Sequence, residues 1–124
     1  MAEPGTVIGW LLAKEDREKL LEQFKPKYEK TVAHHVTLKT DAASDSLPAE
    51  VRGQVVGFTD DGKGVQAMVV AIDGTTERPD GSTYHITWSL GDGRRARESN
   101  DVLKERGWEE LDHPIAVKLE PGRF

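Results

Sequence analysis

Cysteine is absent from the 124 residues, which excludes a disulfide framework, a thiolate zinc site and a cysteine nucleophile. Long apolar runs are missing as well. The most hydrophobic stretch near the start, VIGWLLA at 7–13, is too short to span a bilayer and shows neither a basic leader nor a cleavage site, so the expectation is a cytoplasmic chain with no membrane partner. Positive charge is in deficit: Lys and Arg number 17 against 22 Asp and Glu, for a net charge of −5. That balance argues against coating long nucleic acid through many phosphate contacts, while leaving a nucleotide or a single RNA end within reach.

What is present fits one domain over residues 1–124, with enough chain for a single core. TVIGWLLA at 6–13 has strand composition, and EDREKLLEQF at 15–24 places Leu20, Leu21 and Phe24 on one helical face before Pro26 stops it. VAHHVTLK at 32–39 and VRGQVVGF at 51–58 are further strands, separated by a polar connection over 40–50. DDGKG at 60–64 is turn chemistry and predicts a hairpin into VQAMVVAI at 65–72. A long polar connection, 73–83, is a candidate rim or lid. STYHITWSL at 82–90 is a strand; Ser99 or Asn100 is placed to cap a helix over NDVLKER that Gly107 ends; HPIAVKLE at 113–120 closes the series. The expected order is β-α-β-β-β-β-α-β, an α+β chain whose two halves each carry one helix and one His-x-Thr strand.

Those two strands hold two of the four histidines. Alternation puts His35 and Thr37 on one face and Val36 and Leu38 on the other; in the second copy His85, Thr87 and Ser89 oppose Tyr84, Ile86, Trp88 and Leu90. The apolar set is explained as core, with Tyr84 and Trp88 in it. The polar set leaves, in each copy, an imidazole followed by a hydroxyl about 7 Å further along the strand. Phosphodiester cleavage without a metal requires such groups: one neutral imidazole to take a proton, one charged imidazole to give one, and hydroxyls to bond the non-bridging oxygens. A single His-x-Thr is ordinary strand surface; the repeat is what makes a site worth considering. A metal site is disfavoured because the adjacent His34 and His35 should point to opposite faces and no carboxylate stands at ligand spacing in either motif.

HHVTL at 34–38 and YHITWSL at 84–90 resemble the paired H-x-[ST] motifs of the 2H phosphoesterase superfamily. RRARESNDVL at 94–103 resembles the segment after the second motif in its cyclic-phosphodiesterase and RNA-repair branches. The resemblance implies a compact two-lobed α+β fold of antiparallel sheets with pseudo-two-fold symmetry and both motifs lining a central cleft. It implies metal-independent hydrolysis of 2′,3′-cyclic phosphates on RNA ends or small nucleotides, with no cofactor. Carried over by position, His35 and His85 would be the acid–base pair, and Thr37 and Thr87 the phosphate-oxygen ligands. The chain is short for that family, which puts substrate size in doubt. A non-catalytic module holding the same ligand is the alternative.

Three other residues are candidate substrate contacts. Arg94 and Arg95 follow the second motif and suit phosphate oxygens, and Trp10 would stack a base if it faced the cleft. The bland alternative for the arginines is a solvated basic loop. His34, which aligns with Tyr84, reads as a buried or hydrogen-bonded histidine, and His113 as structural or exposed.

Overall fold

The computed structural model describes residues 5–39, 44–79 and 81–124. Residues 40–43 of the expected 40–50 connection, residue 80 of the 73–83 connection and the first four residues lie outside the described part. Nine elements follow in order: β1 (Ile8–Leu12), α1 (Lys14–Gln23), β2 (Lys30–Thr31), β3 (His35–Lys39), β4 (Val51–Asp60), β5 (Val65–Ile72), β6 (His85–Leu90), α2 (Glu98–Arg106) and β7 (Glu109–Arg123).

The two-lobed α+β expectation is overturned. All neighbouring strands are antiparallel, and β6–β3–β1–β7–β4–β5 returns to β6, giving a closed six-stranded barrel with two helices outside it. The physical reason is that β5 and β6 pair with each other as well as with their outer neighbours, so the six long strands close on themselves and, among the described residues, leave none of their edges to start a second lobe. The short β2, absent from the expected order, pairs with the far end of β6.

Alternate residues of the barrel strands fill the interior: Trp10 and Leu12 from β1, Val36 from β3, Val55 from β4, Met68, Val70 and Ile72 from β5, Ile86 and Trp88 from β6, Val117 and Leu119 from β7. Burying such side chains contributes about 1.5–3 kcal/mol each before the opposing entropy. Leu20, Leu21 and Phe24 bring α1 against this core, and the Phe24 carbonyl accepts the Trp88 indole N–H at 2.7 Å. Two glycines are required by close approach. A Cβ on Gly9 would stand 2.1 Å from the Val36 carbonyl, and one on Gly57 would run into the Trp108 ring at 2.1 Å.

α2 begins at Glu98, ahead of the expected Ser99 or Asn100 cap, because the Glu98 carboxylate accepts the Arg95 N–H at 3.0 Å and settles the first turn. Ser99 therefore lies inside the helix, fully buried. Gly107, at φ 69°, ends it with an N–H to the Leu103 carbonyl. Among the described residues no helix is long and apolar enough to cross a membrane.

Candidate functional site

The two His-x-Thr strands are neighbours. Val36 of β3 pairs with Ile86 of β6, both turned into the barrel, which puts His35, Thr37, His85 and Thr87 on the outer face of its wall, half-buried on β3 and buried on β6. Antiparallel register then sets His35 across from Thr87 and Thr37 across from His85. The imidazoles become diagonal neighbours, a relation that places residues about 7–8 Å apart.

A break in the strand shapes the first copy. Thr31 pairs with Ser89 and Val36 with Ile86, so four residues, Val32 to His35, face only Thr87 and Trp88. Ala33 absorbs the excess at φ 43° and turns into the core, while Arg17 of α1 donates to the Ala33 and Val32 carbonyls. Alternation is lost there, and of the two readings of His34, buried or hydrogen-bonded, the second holds: it is exposed, and its Nδ1 lies 3.0 Å from Nδ1 of His35. Phe124, just beyond β7, lays its ring on the His35 imidazole with centroids 4.3 Å apart. Burial first, then the neighbouring His34 and His85, lowers the His35 pKa to about 4, so the ring is neutral at pH 7.

His85 is only 8% exposed. Its Nδ1 is 2.8 Å from the Thr83 carbonyl, which can only accept, so Nδ1 carries the hydrogen and Nε2 keeps the lone pair. Burial lowers its pKa; the Thr83 bond opposes that, and the charge of Arg78 adds to it. Thr87 is committed elsewhere. Its hydroxyl donates to the Ala96 carbonyl at 3.2 Å and meets Ser99 Oγ at 2.9 Å, leaving little donor capacity for a ligand.

The remaining candidates separate from this group. Trp10 is 4% exposed, edge-on to Tyr84, with its indole N–H on the Ala49 carbonyl: it belongs to the core and offers no stacking face. Arg94 is a strap. Its nitrogens go to Glu98, Asp61 and the Lys63 carbonyl, tying α2 to the β4–β5 turn. Against the opposing effect of burial, which is largest at Asp61, backbone N–H bonds first and then Arg94 hold the Asp61 and Glu98 carboxyls below their usual range. Arg95 is exposed on the loop surface, as is His113 on β7.

Sequence reasoning missed three residues. Ser99 engages Thr87; Phe124 covers His35; Arg78, 8% exposed on the 73–83 connection, brings positive charge toward His85. That connection folds back on itself through the Glu77–Thr83 bridge, which also positions the carbonyl on His85. No local pattern announces Phe124, and Ser99 reads in sequence as a helix cap, not as a partner of Thr87. Two surface cavities lie away from the quartet: one of about 550 Å³ between Glu29, Lys30 and the 90–94 turn, and one of about 340 Å³ between Phe58, Asp60, Arg106 and Trp108. Among the described residues no group of three or more metal-binding side chains converges. Compared with known proteins, the chain matches no family model, no curated protein and no solved structure.

Proposed function

We propose that the chain is a cytoplasmic, metal-independent phosphoesterase that opens a 2′,3′-cyclic phosphate, or a related phosphodiester, at an RNA end or on a nucleotide. It would use the two-histidine chemistry of the 2H phosphoesterases on the outside of a barrel. The observation that carries the proposal is the diagonal placement of His35 and His85 on paired strands, with the His85 tautomer fixed by Thr83.

The lone pair on His85 Nε2 makes this ring the base. It takes a proton from water as the water oxygen bonds to phosphorus, and the bond from phosphorus to the departing ribose oxygen breaks. That oxygen receives its proton from His35. His35 is neutral in the free protein, and an anionic phosphate beside it reverses the pressure that lowers its pKa, so the substrate itself recruits the proton. Thr37, half-buried beside His35, supplies a hydroxyl to a non-bridging oxygen. Each proton transfer is worth about 10²–10⁴-fold.

The test is incubation of the purified protein, in EDTA, with 2′,3′-cyclic nucleotides and with RNA ending in a cyclic phosphate. Turnover that His35→Ala and His85→Ala abolish is expected. No turnover, or turnover indifferent to both substitutions, contradicts the proposal. A second possibility, a module that holds the same ligand without cleaving it, is favoured by the commitment of the Thr87 hydroxyl to Ser99 and Ala96. Calorimetry showing tight binding of intact cyclic nucleotide without product would select it.

A further inference from the structure

Aromatic residues are 6% of the chain, and Trp10, Tyr84 and Trp88 are taken into the interior. Phe124 is differently placed. Its N–H donates to the Val7 carbonyl at 2.8 Å, and its carbonyl accepts from Val7 and Gly5, so the backbone is pinned to the start of the chain. The ring it presents is half-buried. It lies on His35 with an interplanar angle of 31° and meets the exposed His34 edge-on at 5.7 Å and 69°. His34 and His35 are themselves edge-on at 5.2 Å. Three rings thus form one partly open cluster on the outer wall, adjoining the His–Thr quartet.

We infer that Phe124, with His34 beside it, is the stacking platform for a nucleobase, so that the ligand is a nucleoside phosphate and not a base-free phosphate ester. The inference rests on the phosphoesterase proposal, in which the phosphate sits against His35. A ribose separates that phosphate from a flat aromatic base, and the ring in contact with His35 is Phe124. Phenylalanine offers no hydrogen-bonding group, so the platform takes purines and pyrimidines alike; every base has a π-face. Partial burial holds the ring in place, so little freedom is lost when a base settles on it.

The experiment compares ligands with and without a base. Calorimetry with adenosine 3′-monophosphate, uridine 3′-monophosphate and ribose 3-phosphate is run on the wild type, Phe124→Leu and Phe124→Trp, each first checked for an unchanged melting temperature. Leucine keeps apolar bulk and removes the π-face. The expectation is nucleotide affinity about 5- to 100-fold weaker in Phe124→Leu, retained or tightened in Phe124→Trp, with the base-free phosphate unaffected by either. Equal weakening of all three ligands would make Phe124 structural and overturn the inference. Unchanged nucleotide affinity in Phe124→Leu would do the same. Phe124-dependent binding without turnover of cyclic phosphates would uphold the platform and reject the catalytic proposal. Turnover indifferent to Phe124 would reject only the platform, and a wild type that neither binds nor cleaves would reject both.

Discussion

The first and second copies of His-x-Thr differ in almost everything except their residues. On β6 the second copy has strands on both sides and α2 against its outer face, and the whole of β6 is buried, with Ser99 and Ala96 on Thr87 and Thr83 on His85. On β3 the first copy is open: His35 and Thr37 are half-buried, covered by a single phenyl ring and a second histidine. One imidazole is therefore fixed in tautomer and position, and the other is held neutral first by its own partial burial and then by the charge of neighbouring histidines. In the mechanism we propose, a fixed base would face an adjustable acid. The same tripeptide supplied both because tertiary cover, not the motif, decides what each residue can do.

The comparison breaks most sharply at His85. Asparagine there can donate its amide N–H to the Thr83 carbonyl but cannot titrate, so His85→Asn should fold normally by circular dichroism and lose about 10²–10⁴-fold in turnover of a cyclic nucleotide. Retained turnover would mean that His85 is merely packed. The threonines should separate next, in stability. Thr87→Val leaves a buried serine hydroxyl with one partner fewer and should cost about 1–3 kcal/mol in denaturant unfolding; Thr37→Val, at a half-exposed position, should cost less than about 0.5 kcal/mol. Similar costs would erase the distinction between the copies.

A titration sharpens it further. His35 has a folded pKa of about 4, below the ordinary value of 6.5, and His85 is lowered in the same direction. Between those values the unfolded chain binds more protons, so stability is fully present above about pH 6.5 and is lost as pH falls toward 4. His35→Gln should flatten that decline in unfolding midpoints measured from pH 7.5 to 4.5. An unchanged slope would mean that His35 is better solvated than its contacts imply. The smallest effects belong to the loop. Arg94→Gln should lower the melting temperature without weakening nucleotide binding, since its nitrogens hold Asp61, Glu98 and Lys63, and Arg95→Gln should change neither.

Much of the local structure was legible. The β-branched run at 65–72 is β5, and the apolar set Tyr84, Ile86 and Trp88 is core because strand alternation holds along β6. Closure of the barrel was not legible. It depends on β7 sliding between β1 and β4, with Ile8 against Arg123 and Val51 against Leu119, and no local signal fixes pairings so distant. The break before His35 was hidden for another reason: Ala33 takes a positive φ without being the glycine or asparagine that would announce it. Arg94 resembled a phosphate ligand because its partner Asp61 stands in a turn that sequence alone does not bring near it. The quartet was readable as four residue types on two faces, and the pairing of β3 with β6 was the part only the fold could supply.

Whether His35 and His85 act as one unit is the central question, and a double-substitution cycle on cyclic-nucleotide hydrolysis in EDTA addresses it directly. Groups that act as a unit in one catalysed step are strongly non-additive. His35→Ala and His85→Ala should each abolish nearly all catalysis, and the double variant should be no slower than either alone. Losses that multiply in the double variant, or a full rate in one of the singles, would contradict a paired site on the outer wall of the barrel.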